Sequence, residues 1–224
     1  MGMNCGNGPL VVAVLAAGRA RRFGRPKLAE PLGGKPLLAW AVEAALAADP
    51  HRVLVVLGPE SVGDTLPAGT AEWDTGKGGV DLRPALPNDP RLEVLVNPHP
   101  QRGLASSLGL VARRAAEMEA GVLVMLLGDM PLVQPATIAQ VARAALDSPA
   151  GAAAAELEGR PGHPVAFSRR HFPRLAGLEG DQGGRVILAE LGPEVVLVPA
   201  PPQSALDVDR PADLERIRRW LTPA

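Results

Sequence analysis

Pro9-Leu-Val-Val-Ala-Val-Leu-Ala-Ala-Gly18-Arg-Ala-Arg-Arg-Phe-Gly24-Arg-Pro-Lys27-Leu28 joins two unlike pieces of sequence. The first piece, Leu10–Leu15, is apolar at every position. It shows no period-two alternation, so it reads as a strand buried on both faces of a parallel sheet. It is too short to span a membrane, and its arginines follow it, whereas a secretory signal places its charges in front. The second piece carries five cations in nine positions and no acid: Arg19, Arg21, Arg22, Arg25 and Lys27. A loop leaving the carboxyl end of a buried strand is where open α/β sheets bind ligands. Gly18 and Gly24 let backbone amides approach an anion. Arginine can grip phosphate oxygens in a bidentate way, and lysine supplies a point charge. The stretch reads as a phosphate-binding loop rather than a merely solvated basic one.

Outward from this stretch, apolar runs alternate with helical patterns, which predicts an α/β fold: a mostly parallel sheet with helices on both faces. Helices are expected at Lys35–Ala48, Ser106–Ala120, Pro135–Asp147, Gly184–Leu191 and Pro211–Leu221. Ser106 and Ser107 read as an N-cap pair, and Pro135 suits a first turn. Further strands are expected at Val53–Leu57, Leu92–Val96, Val122–Leu127 and Glu194–Pro199. Ala152–Glu156 and His163–Phe167 read as a hairpin around Gly159-Arg-Pro-Gly162. Pro59–Pro90 is poorly patterned, with one short helix near Pro59–Leu66. No linker divides the chain, so residues 1–224 are expected to form one domain.

Composition narrows the function. The chain has 224 residues, a net charge of −1, 46% apolar and 21% charged residues. Such balance speaks against a nucleic-acid or membrane-surface binder, and 3% aromatics leave little for base stacking. A single cysteine, Cys5, excludes an intramolecular disulfide, a zinc ribbon and a cysteine-ligated cluster. A cytoplasmic protein is expected. Of 23 basic residues only Lys27, Lys35 and Lys77 are lysines.

The loop matches neither common phosphate motif. Gly34-Lys35-Pro36 lacks the Walker spacing and its Ser/Thr, and Gly6-x-Gly8 precedes the strand and lacks the third glycine of the dinucleotide fingerprint. Leu15-Ala16-Ala17-Gly18-Arg-Ala-Arg-Arg22-Phe-Gly24-Arg-Pro-Lys27 instead resembles the opening signature of the MobA-like nucleotidyltransferases. Pro31-Leu-Gly-Gly-Lys35-Pro-Leu-Leu38, Asn97-Pro98 with Gly103-Leu-Ala-Ser-Ser107, and Gly128-Asp129-Met-Pro131 are similar to later segments of that family. Gly162-His163-Pro164, Gly180-Asp181-Gln-Gly-Gly-Arg185 and Asp207-Val-Asp209-Arg-Pro-Ala-Asp-Leu214 resemble its molybdenum cofactor cytidylyltransferase branch. Departures are mild: Ala20 for Ser, Leu104 for Met, Gly184 for Ala and Arg210 for Thr.

The resemblance implies a three-layer, Rossmann-like nucleotidyltransferase fold. It also implies transfer of CMP from CTP to a phosphorylated acceptor, molybdopterin or the molybdenum cofactor. The nucleotide would lie against Leu15, Ala16, Ala17, Gly18, Arg19, Arg22, Gly24, Lys27, Asn97 and Ser107. Lys27, Arg19 and Asp129 would be catalytic. Asp129, delivered to a fixed place by an apolar strand, and Asp209 would hold Mg²⁺, a hard cation that takes one or two carboxylates plus phosphates. By residue chemistry alone Asp209 is equally an N-cap for the helix at Pro211. His163 and Asp181 are weaker candidates for the acceptor side. The partners implied are a nucleoside triphosphate, the acceptor, and a molybdoenzyme or its maturation factor, with no nucleic acid or membrane. The open alternatives are a guanylyltransferase or another transferase to a small phosphate, and a binding protein without turnover.

Overall fold

The computed structural model describes residues 4–5, 8–18, 23, 26–62 and 80–221. Seven strands form its central sheet: β1 (Gly8–Ala16), β2 (Arg52–Leu57), β3 (Leu92–Val96), β4 (Val122–Leu127), β5 (Ala152–Leu157), β6 (Arg160–Ser168) and β7 (Val196–Pro199). Their order is β7-β5-β6-β4-β1-β2-β3. A two-residue strand, Asn4–Cys5, folds back antiparallel onto the start of β1. Only β6 runs against its neighbours in this main order; the β1–β2, β1–β4, β2–β3 and β5–β7 pairs are parallel.

Helices α1 (Leu37–Ala47), α2 (Leu104–Glu117), α3 (Pro135–Asp147), α4 (Phe172–Ala176), α5 (Arg185–Leu191) and α6 (Pro211–Leu221) cover both faces. The alternating side chains of β1 sort the core in two. Leu10, Val12, Val14 and Ala16 pack with α1, α3 and α6, while Val11, Ala13 and Leu15 pack with α2, α4 and α5. Burial on both faces is why β1 lacks an apolar–polar alternation. The expected three-layer α/β fold is therefore present.

The structure revises several boundaries. Lys35 and Pro36 pair with Pro31 and Leu32 in a small antiparallel ladder, so α1 starts at Leu37. The Pro59 helix is a single 3₁₀ turn, Pro59–Ser61; positions 63–66 lie outside the described residues. The hairpin turns at Glu158 and Gly159, both at positive φ, and Arg160–Gly162 belong to β6. Gly184 and Glu194 fall just before α5 and β7. Ser106 and Ser107 do not cap α2. The cap position is Gly103, and both serines lie inside the helix.

Candidate active site

β1 and β4 lie side by side with Leu15 opposite Leu127, so the segments that follow them leave the same carboxyl edge. The amide of Gly128 donates to the Leu15 carbonyl at 2.9 Å, holding the two exits together. A Cβ at Gly128 would come within 2.9 Å of Leu38 and 3.1 Å of Ala16. This close approach reserves the position for glycine and sets Asp129 beside the exit of β1.

Asp129 is then fastened to a distant part of the chain. Its carbonyl accepts the Val208 amide at 3.1 Å, and Val208 is fully buried. This bond draws Asp207 and Asp209 to the same edge from 78 and 80 residues away in sequence. Lys27 arrives from the opposite side, between two buried anchors, Phe23 and Leu28, which join the core around Leu37, Leu38 and Val208. Its ammonium donates to Asp129 Oδ2 at 2.6 Å, to the Val208 carbonyl at 2.7 Å and to Asp209 Oδ1 at 3.4 Å. The side chains of Lys27 and Asp129 are mostly shielded from solvent; that of Asp209 is half exposed.

Two features suit this cluster to a cation and a polyanion. Asp129 Oδ1 is buried and accepts no hydrogen bond from any described residue. A buried carboxylate oxygen without a partner is costly, and it is the donor type a hard divalent cation prefers. Negative charge is also concentrated here. Partial burial, and then the charges of Asp129 and Asp209, push the Asp207 carboxyl above its ordinary pKa, with Lys27 opposing. No cluster of three or more His, Cys, Asp or Glu ligands is present among the described residues. The residues fit a cation held by two carboxylates whose remaining ligands come from water and substrate.

The residue immediately before α6 is Arg210, so Asp209 stands one position outside the cap. Asp213, inside the first turn, reaches back and accepts the amides of Asp209 (3.0 Å) and Arg210 (2.7 Å). This is the return half of a capping box, and it leaves the Asp209 carboxylate turned to Lys27.

Leu15, Ala16 and Ala17 are buried as β1 ends, and Gly18 is exposed beyond them. Arg19, Arg22 and Gly24 lie outside the described residues. Asn97 is almost fully buried. Its amide donates to Ser106 Oγ (2.8 Å) and Ser107 Oγ (3.0 Å), its carbonyl oxygen accepts the His99 amide, and Ser106 Oγ donates to the Gly103 carbonyl. The Asn97-Pro98 and Gly103–Ser107 segments are thus one hydrogen-bonded unit. Gly103 sits at φ +88, and a Cβ there would fall 2.2 Å from the Gly180 carbonyl oxygen and 2.6 Å from Asp181 Oδ1. Asp181 therefore borders the start of α2.

His163 faces β4. Its Nδ1–H donates to the Met125 carbonyl at 3.2 Å, which leaves Nε2 as the acceptor of a neutral ring. Burial, reinforced by the charge of Arg185, lowers its pKa despite the Met125 bond and the charge of Asp129. Lys35, the second scarce lysine, is placed elsewhere. It pairs with Glu43 and lies 3.7 Å from the centre of the Trp40 ring.

Two contributors were not apparent in the sequence as parts of the site: the Val208 carbonyl and the Asp213 return bond. Asp213 carried a readable signal, an acid three positions into a helix whose cap position is neither Ser, Thr, Asp nor Asn. The Val208 carbonyl carried none.

Comparison with known proteins places the chain among transferases. A family model, the MobA-like NTP transferase domain, matches residues 12–195. The chain is 30% identical over 215 residues to the purine catabolism protein PucB of Bacillus subtilis, covering 95% of this chain and 98% of PucB. The crystal structure of Rv0371c from Mycobacterium tuberculosis aligns with a TM-score of 0.73 at 27% identity, covering 95% and 98% of the two chains. The same mycobacterial protein in complex with manganese aligns at 0.68 and 25% identity, covering 94% and 98%. No helix among the described residues is long and apolar enough to cross a membrane.

Proposed function

Because the chain belongs to the MobA-like NTP transferase family, we propose that it transfers CMP from CTP to the phosphate of a small acceptor, molybdopterin or the molybdenum cofactor, and releases pyrophosphate. Nucleotidyl transfer comes with the family; the base and the acceptor are what the proposal adds. The observation that carries it is the Lys27 ammonium clasped by Asp129, Asp209 and the Val208 carbonyl where β1 and β4 end. The likeness of Gly162-His163-Pro164, Gly180–Arg185 and Asp207–Leu214 to the cytidylyltransferase branch supports the choice of base and acceptor.

The acceptor brings its own anionic oxygen, so attack on the α-phosphorus needs no strong general base. The protein must hold two mutually repelling anions in line and neutralise the charge that grows as pyrophosphate departs. The Gly18 backbone and the cations of the following loop, Arg19 and Arg22 included, receive the triphosphate. Lys27 gives up a carboxylate contact for a phosphate oxygen and stabilises the leaving pyrophosphate. Asp129 and Asp209 would hold a divalent cation, Mg²⁺ in this reading, with the orphaned Asp129 Oδ1 available to it. When bound, the cation neutralises charge on the phosphate oxygens. Asn97 and Ser107 steady the nucleotide side, and His163 and Asp181 flank the acceptor.

Pyrophosphate release measured with each of the four NTPs, with and without molybdopterin and Mg²⁺, tests the proposal. Release with CTP, dependent on both additions, is expected. Release with GTP in place of CTP would make the protein a guanylyltransferase. No release with any pair would favour a binding protein.

A further inference from the structure

A polar cavity of about 460 Å³ opens on the outer side of α2. Ser106, Gly109, Leu110 and Arg113 line one wall. These positions share the helix face opposite Leu108, Val111, Ala112 and Ala115, which pack on the sheet. Leu178, Glu179, Gly180, His99 and Arg102 also line it. The size is that of a small-molecule pocket, and Leu110, Ala176 and Leu178 add apolar surface beside the polar groups.

Its charge is unbalanced. Neither the Arg102 nor the Arg113 guanidinium makes a hydrogen bond or an ion pair with any described residue, unlike those of Arg83, Arg91 and Arg114, each of which is paired with a carboxylate. Glu179 is the one acid in the lining, against two guanidinium groups. The Arg113 guanidinium lies over Gly109: a Cβ there would meet Arg113 Nη1 at 3.1 Å and Nη2 at 3.3 Å. A glycine inside a helix is unfavourable by propensity; here its missing side chain gives the guanidinium room at the cavity wall.

We propose that this cavity binds a small molecule that carries a phosphate or carboxylate beside a compact, partly apolar body, with Arg102 and Arg113 gripping the anion. The site goes beyond the catalytic reading and does not depend on it. It is connected to the nucleotide segment, because Asn97 and Ser106 line the cavity and the same Asn97 amide bonds Ser107. The anion belongs either to a remote part of the acceptor or to a separate effector.

The test is a titration of the full chain with inorganic phosphate, without metal or nucleotide, followed by backbone amide NMR. A Lys27→Ala background weakens competing phosphate binding at the basic loop. Saturable shifts at the Gly109 and Gly180 amides are expected, weakened at least tenfold in Arg102→Gln/Arg113→Gln. Gly109→Ala should raise the thermal midpoint while weakening phosphate binding, a split that a purely structural role would not produce. Shifts confined to the Gly18 and Asp129 region, non-saturating shifts, or equal binding by the double variant would overturn the site. In otherwise wild-type protein, the double variant raises the KM for molybdopterin with kcat unchanged if the anion belongs to the acceptor. If it belongs to an effector, phosphate changes the wild-type rate and not the variant's. The absence of both effects would overturn a functional role for the site.

Discussion

Lys27 Nζ lies 2.6 Å from Asp129 Oδ2, although 102 residues separate the two in sequence. Without substrate the ammonium occupies the space between two carboxylates, where a divalent cation would also be attracted. In the proposed reading, lysine and metal would compete for Asp129 until a polyphosphate gave the lysine another anion to bind. Lys27→Ala should bind Mn²⁺ more tightly than the wild type when no nucleotide is present. Manganese electron paramagnetic resonance reads this directly, and weaker binding by the variant would show that Lys27 does not stand in the cation's place.

Asp129→Asn removes the charge on the orphaned oxygen while keeping the shape. Divalent-cation-dependent turnover should fall by about 10²-fold or more, with the circular dichroism spectrum unchanged. Full activity would remove Asp129 from the site.

Asp213 acts at one remove, by holding the amides of Asp209 and Arg210. Asp213→Ala should cost about 0.5–2 kcal/mol of stability, the usual range for a lost helix cap. It should also lower activity by loosening Asp209. Denaturant unfolding and turnover measured on one preparation check both, and Asp213→Glu tests whether a longer acid restores them.

Gly103→Ala places a methyl group against the Gly180 carbonyl at a positive φ. Strain and overlap together should cost about 3 kcal/mol or more. A variant whose unfolding midpoint stays within a degree of the wild type would contradict the packing of the 180–184 segment on α2.

His163 gives stability a pH dependence whose sign follows from its lowered pKa. Below the ordinary histidine value of about 6.5, the unfolded chain takes up a proton that the folded chain refuses. Stability therefore declines as pH falls through and below that value. His163→Gln removes this contribution, so its thermal midpoint should fall less than the wild type's between about pH 7 and pH 5.

The strands and helices were legible because the chemistry that forms them is local. Leu10–Leu15 and Val122–Leu127 are apolar throughout, and parallel central strands require that. Pro135–Asp147 and Pro211–Leu221 begin with a proline that favours a first turn, and both were bounded correctly. Boundaries failed where a local signal competed with tertiary contacts. The serines at 106 and 107 look like caps, but buried Asn97 recruits both hydroxyls, and Gly103 alone can take the strained entry against Gly180. The candidate site was legible residue by residue, through Lys27, Asp129 and Asp209, and not as an arrangement. That Lys27 stands between the carboxylates depends on the Val208 amide bonding the Asp129 carbonyl, a backbone contact that no residue type announces.

Pre-steady-state pyrophosphate release by Lys27→Ala, at saturating nucleotide, acceptor and divalent cation, tests the central claim most directly. If the ammonium stabilises the departing pyrophosphate, the rate falls about 10²- to 10³-fold, while nucleotide binding weakens far less. A rate within a few-fold of the wild type would mean that the Lys27–Asp129 pair only holds the fold together and that the reaction centre lies elsewhere.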